Sequence, residues 1–445
     1  MLKKQKFSFI SLGCAKNLVD SEEIIGSLIK KGYQLEPEIK NSELVFINTC
    51  AFLHEARLEA LRTIKETGEI KKSGKSKLQK IVVVGCLVQY FSGEKIKKMV
   101  PEVDLLVPIK DYVNIPFLIE KQTSGRNSSG KPLVQPVKSR FLSTSPHSVY
   151  IKIAEGCNNR CSYCLIPFLR GELHSKKIED ILSEVYTVQK LGAGEITLIA
   201  QDTTAYGLDL YGKLMLGELL QSLCKVDGIK WIRLLYTHPA HITDDLLKII
   251  QKEPGICKYL DIPIQHINNK VLNLMGRKTS KEDIISLYTK IREMIPGVVM
   301  RTTVMVGFPG EGEQEFAELL TFLQKYPFER LGAFVFSPER GTTAFKMQDR
   351  VNNETARQRL NQIMNQQKKI SLSFNRALLG KEVEVLVDSY NQKSNKAYGR
   401  LASQASEVDG KVIITGVHGV KSGDLINVKI SGTGSYDLIG EHIFQ

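Results

Sequence analysis

Three cysteines spaced x3 then x2, in Cys157-Asn-Asn-Arg-Cys161-Ser-Tyr-Cys164, follow directly on the β-branched run Val149-Tyr-Ile-Lys-Ile153. A strand that ends in such a loop has its local shape dictated by whatever the thiols hold. Cluster iron is normally held by four thiolates, so three of them leave one iron open to something other than protein. An open position is where metal chemistry takes place. The competing reading is a structural zinc loop completed by His174 or a distant cysteine. Zinc sites usually come as two short Cys/His couples, which this stretch does not offer.

A second set of cysteines follows a different rule. Phe7-Ser-Phe-Ile-Ser-Leu reads as a strand ending at Gly13-Cys14, and an amphipathic helix from Asp20 to Lys31 puts Ile24, Ile25, Leu28 and Ile29 on one face. Leu44-Val-Phe-Ile-Asn48 is a strand ending at Thr49-Cys50, a long helix runs from Phe52 towards Lys72, and Ile81-Val-Val-Val-Gly85 is a strand ending at Cys86. The pattern predicts a doubly wound α/β domain over residues 1–120 whose strands each deliver one cysteine at the carboxyl end. Ligands of open parallel sheets bind outside those ends, so the three thiols are expected to converge. Buried core cysteines are the alternative; with the Cys157 loop present, a second cluster is the better reading.

Residues 121–147 shift to Ser, Gly, Pro and Lys and read as a linker. Beyond it βα alternation resumes, with strands near Tyr150, Ile196, Trp231, Tyr259, Val299 and Gly332, which predicts a partial (β/α)6 barrel over 148–345. A polar amphipathic helix connects 346–379, and 380–445 falls into short alternating runs punctuated by Gly and Asp/Asn, as expected of a five-stranded OB-like β-barrel.

Eight cysteines with no convincing export signal point to a reducing compartment, and the reading is cytoplasmic. The start imitates a lipidated Cys14, but its apolar stretch is short and Ser11 stands where an aliphatic residue is needed. No run approaches a membrane span. Lys and Arg exceed Asp and Glu by 61 − 48 = 13, and the excess crowds Arg62 to Lys80 and Lys346 to Arg376. From Lys381 onward there are seven basic and eight acidic residues, so the last module is not a basic patch.

The Cys157 spacing, with Tyr163 before its last cysteine, resembles the radical S-adenosylmethionine (SAM) superfamily, and the three regions in this order resemble the methylthiotransferases, with 380–445 similar to a TRAM domain. The resemblance implies two [4Fe-4S] clusters, one on Cys157, Cys161 and Cys164 and an auxiliary one on Cys14, Cys50 and Cys86. It implies SAM as cosubstrate, with Gly192-Ala-Gly-Glu195 matching the segment that holds the methionyl amine, and Tyr163, Gln201, Asp202 and Arg301 as further contacts. Cys224 and Cys257, His238 and His266 receive no role. Ser11-Leu-Gly-Cys-Ala-Lys-Asn17, Asn48-Thr-Cys-Ala-Phe-Leu-His-Glu-Ala56 and Ile262-Pro-Ile-Gln-His266 look like the branch that methylthiolates the β-carbon of an aspartate in small-subunit ribosomal protein uS12. The alternative branch modifies tRNA adenosines. Either implies an electron donor such as flavodoxin or ferredoxin, with no membrane partner. On the ribosomal reading, nucleic acid enters only as ribosomal context.

Overall fold

The structure, a computed structural model, describes residues 5–124 and 140–443, without the side chains of 121–124. Most of the linker expected at 121–147 therefore lies outside the described residues. The chain divides into two compact units, Met1–Ser143 with Leu165–Glu172, and Thr144–Cys164 with Leu173–Gln445.

The first unit is built on a parallel sheet of β1 (Lys6–Ser11), β2 (Gln34–Leu35), β3 (Leu44–Thr49), β4 (Lys80–Gly85) and β5 (Leu105–Val107), in the order β2-β1-β3-β4-β5. The pattern of the sequence predicts only the central three; β2 and β5 are two and three residues long, too short to show a period. Phe7, Phe46, Val82 and Val84 pack against Ile24, Ile25 and Leu28 of helix α1 (Ala15–Lys30). Val45, Ile47, Ile81 and Val83 pack on the other face with Ala60 and Ile64 of α2 (His54–Lys72). Helices on both faces explain why these strands read as unbroken apolar runs rather than alternating ones. The connections on to Ser124 are α3 (Cys86–Tyr90), α4 (Gly93–Met99) and α5 (Ile115–Ser124).

Two departures from expectation bear on function. Helix α1 starts at Ala15, immediately after Cys14, and not at Asp20. Its first turns bury Asn17, Asp20, Ser21 and Glu22 beside Val19, so hydrophobic periodicity does not mark them. The short helix α6 (Ile166–Arg170), which follows Cys164 in sequence, belongs to the first unit, with Leu165 and Leu169 in the α2-side core. Burying two leucines is worth about 1.5–3 kcal/mol each, which anchors this segment.

In the second unit β6 (Ser148–Lys152) is followed by a small antiparallel pair, β7 (Ala154–Glu155) and β8 (His174–Ser175), which brackets the cysteine loop in sequence. Strands β9 (Glu195–Ile199), β10 (Trp231–Leu234), β11 (Ile256–Asp261), β12 (Val299–Val306) and β13 (Arg330–Val335) complete an open parallel sheet ordered β13-β12-β11-β10-β9-β6. Each crossover steps to the next neighbour, as a partial barrel requires. The helix Asn353–Arg376 is pinned beside β13 by Gln367 and Ser371, which donate to the carbonyls of Phe328 and Glu329 at 3.0 Å. The remainder is a closed five-stranded barrel of β14 (Glu382–Asn391), β15 (Lys396–Arg400), β16 (Val412–Thr415), β17 (Leu425–Thr433) and β18 (Leu438–His442).

One buried ion network fastens that small barrel to the amino ends of the sheet strands. Glu195, the first residue of β9, is completely buried and accepts from Ser148 Oγ at 2.7 Å, Arg233 Nε at 2.9 Å and Arg400 Nη2 at 2.7 Å. Arg400 also reaches Asp388 at 2.8 Å, and Arg233 Nη1 donates to the Ala402 carbonyl at 2.7 Å. Burial alone would raise the Glu195 carboxyl, but Arg233 and Arg400 hold it down at about 2.

Candidate active site

Cys14, Cys50 and Cys86 stand at the carboxyl ends of β1, β3 and β4, three adjacent strands. The strand order reverses between β1 and β3, and such a switch point opens a crevice for a ligand. Glycine lets the chain close on it. Gly13 and Gly85 each have φ of +98°, and a Cβ would lie 2.8 Å from Cys50 Cβ at the first and 2.4 Å from the Thr49 carbonyl oxygen at the second. Both Gly-Cys pairs thus turn against the end of β3, where only glycine fits. Thr49 Oγ1 donates to the Val84 carbonyl at 2.6 Å and accepts from Leu87 N–H at 3.3 Å. Asn17 Nδ2 donates to the carbonyls of Leu12 and Thr49 at 2.9 and 3.2 Å. Burial raises the Cys50 thiol, with Cys14 adding to the effect, and pushes Cys86 up to about 11. These thiols keep their protons at neutral pH until a metal displaces them.

The second trio sits past the carboxyl end of β6. Asn159 N–H donates to Cys157 Sγ at 3.5 Å, Cys164 N–H to the Cys161 carbonyl at 3.0 Å, and Ser162 Oγ to the Leu274 carbonyl at 2.7 Å. Asn159 Nδ2 reaches Asp202 Oδ2 at 2.6 Å, tying the loop to the end of β9. Tyr163 packs edge-on to Phe308, which packs on Phe336, with ring centroids 6.4 and 5.1 Å apart. Among the described residues, the one grouping of three or more metal-capable ligand atoms within 4.8 Å of one another is Asp202, His238 and His241. Neither cysteine trio is drawn that close. Thiolates 2.3 Å from one tetrahedral zinc would stand about 3.8 Å apart, closer than either trio is drawn. His174, the alternative zinc ligand, is exposed at the start of β8.

Of the residues expected to contact SAM, Gln201 is the best placed. Its Nε2 donates to Glu155 Oε1 at 2.6 Å, and its buried Oε1 has no hydrogen-bond partner among the described residues. An orphaned carbonyl beside a carboxylate suits an ammonium group. Asp202 is already engaged by Asn159, His241 Nδ1 at 2.8 Å, Thr204 Oγ1 at 2.7 Å and Ala205 N–H at 3.1 Å, so it braces the site. Arg301 pairs with Asp261 at 2.8 Å, and its side chain is 18% exposed. Glu195 must be corrected: it opens β9 in register with Ser148, at the strand end opposite the cysteine loop, and both its oxygens are occupied. The Gly-Ala-Gly-Glu wording resembles an amine-binding segment, but the residues at the carboxyl end of the strand are Ala200-Gln201-Asp202.

Sequence reasoning missed several participants. Lys152, buried within the apolar run of β6, donates to Glu155 Oε2 at 2.8 Å. A lysine in that run is the signal that could have found it. Three non-glycine residues of this unit adopt left-handed φ around the carboxyl ends of the strands: Arg160 at 44°, Tyr236 at 61° and Gln265 at 68°. Such strain persists where surrounding contacts over-determine it, commonly at functional sites. Gln265 is locked by Thr303 and Met305 through backbone bonds of 2.9 and 2.8 Å, and its Oε1 is buried without a partner among the described residues. His238 is held neutral, its pKa lowered to about 3 by burial and by Arg277.

An open parallel barrel with a three-cysteine loop after its first strand defines the class, a radical SAM enzyme. The model of the Radical SAM superfamily matches residues 151–323, that of the uncharacterized protein family UPF0004 matches 6–108, and that of the TRAM domain matches 379–443. The chain is 44% identical over 444 residues to the ribosomal protein uS12 methylthiotransferase RimO of Caldicellulosiruptor saccharolyticus, covering 98% of this chain and 100% of that one. It is 40% identical over 444 residues to the protein of that name from Clostridioides difficile, covering 99% of each. The chain belongs to this family, RimO. Among solved structures, the radical SAM methyltransferase TsrM of Kitasatospora setae shares the fold, with a TM-score of 0.56 at 14% identity over 75% of each chain.

Proposed function

We propose that the chain transfers a methylthio group to the β-carbon of an aspartate in ribosomal protein uS12 by radical SAM chemistry. The observation that carries this reading is the pair of cysteine trios, each at strand carboxyl ends of its own parallel sheet, in a chain that aligns end to end with uS12 methylthiotransferases. Cys157, Cys161 and Cys164 would hold one [4Fe-4S] cluster, and Cys14, Cys50 and Cys86 the other, each one protein ligand short. When bound, the clusters and SAM supply the one-electron chemistry and the sulfur that side chains cannot. The chain supplies placement. Gln201 and Glu155 are suited to a methionyl ammonium, and the exposed part of Arg301 to a carboxylate. Tyr163, Phe308 and Phe336 form an apolar wall that keeps water from the loop.

An electron donor of the flavodoxin or ferredoxin class and a cytoplasmic location follow from the same reading. The near-neutral charge of 381–445 favours docking to a basic protein over an RNA backbone, which would need a cationic groove. After anaerobic reconstitution with iron, sulfide, SAM and a reductant, Cys157→Ala should abolish reductive cleavage of SAM. Cys86→Ala should leave cleavage and lose transfer to uS12. Cleavage by Cys157→Ala at the wild-type rate would refute the assignment.

A further inference from the structure

Helix α6 carries a charge into the core of the first unit. Arg170, its last residue, has a side chain 2% exposed and pairs at 2.8 Å with Asp20, whose side chain is 1% exposed. Its Nη2 donates to Asn17 Oδ1, on the amide whose other end holds the carbonyls of Leu12 and Thr49. Those carbonyls lie just upstream of Cys14 and Cys50. The guanidinium also lies close enough to Cys86 and Cys50 for its charge to oppose the burial that raises both thiols. One side chain therefore steadies, through Asn17, the strand ends that carry Cys14 and Cys50, and sets its charge beside Cys86. As a stabilising device it is weak, because an ion pair this buried gives back in desolvation most of what it gains.

We propose that Arg170 is the positioning residue of the auxiliary cluster, orienting Asn17 and the strand ends it holds and setting the cluster's reduction potential through its buried charge. The inference rests on the reading that Cys14, Cys50 and Cys86 hold a [4Fe-4S] cluster. Three thiolates around such a core leave it anionic, and more so once reduced. A guanidinium beside a ligand sulfur thus favours the reduced form and raises the potential, as hydrogen bonds to cluster sulfurs do. Asp20, opposite it, works the other way.

The test uses the full chain carrying Cys157→Ala, Cys161→Ala and Cys164→Ala, so that only the auxiliary cluster is seen. Arg170→Gln is expected to lower its midpoint potential, alter the electron paramagnetic resonance signal of its reduced state and speed iron loss to a chelator. Arg170→Lys keeps the charge without the fork and should recover most of the potential. Asp20→Asn should shift the potential upward; a merely structural ion pair would not move the two in opposite directions, and this arm stands if Arg170→Gln fails to fold. Wild-type potentials in both Arg170→Gln and Asp20→Asn would overturn the proposal alone. Failure of the triple-alanine protein to take up any cluster would bring down the functional reading with it.

Discussion

Gly85 illustrates how narrowly the residue scale is set. A methyl group there would stand 2.4 Å from the Thr49 carbonyl oxygen, at a φ of +98° that side chains avoid. Gly85→Ala is expected to displace Cys86 and reduce iron from roughly eight to roughly four atoms per chain on reconstitution. Colorimetric iron analysis decides it; full iron content would contradict the packing account. Gln265 separates strain from function. Gln265→Gly should relieve about 1–2 kcal/mol of left-handed strain and raise the unfolding midpoint in urea, while the lost amide lowers turnover. Unchanged turnover would make the strain purely architectural. At this scale Cys157, Cys161 and Cys164 were legible from their spacing, and Cys14, Cys50 and Cys86 from the strands they follow; Gln201 was marked as a SAM contact, but not for the ammonium group it suits. Arg170 was not, because its carboxylate partner is 150 positions away in sequence.

Glu195 shows where wording misleads at the scale of the element. A strand has two ends, and a motif that names its residues does not say which end faces the ligand; the register Glu195↔Ser148 does. Its carboxylate, flanked by Arg233 and Arg400, titrates at about 2 against an ordinary carboxylate value of about 4.3. The stability it contributes is complete above that ordinary value and is lost as pH falls through about 2. Glu195→Gln should therefore cost about 3–5 kcal/mol near neutral pH by leaving the buried Arg233 guanidinium without a carboxylate, and flatten the fall in stability between about pH 4.3 and 2. Denaturant titrations across that range measure both; an unchanged profile would show the network to be idle. Secondary structure was readable wherever apolar periodicity ran long enough. The two short edge strands and the polar first turns of α1 escaped it, since burial there falls on too few residues or on hydrogen-bonded polar ones.

The whole molecule is three architectures in sequence, a doubly wound domain, a partial barrel and a small closed barrel, and this order was visible because composition shifts between the first two and the pattern turns to short alternating runs before the last. Among the described residues no helix is long and apolar enough to cross a membrane. The assignment of α6 to the first unit could not be read, because two leucines in a five-residue helix carry no signature of what they pack on. The choice of substrate belongs to this scale too, and the charge of 381–445 argues for a protein. The decisive measurement is mass spectrometry of uS12 and tRNA offered together to the anaerobically reconstituted enzyme with SAM and a reductant. A methylthio group in place of one hydrogen on a uS12 aspartate, with tRNA unchanged, is the predicted result; methylthiolated adenosine with unmodified uS12 would contradict it.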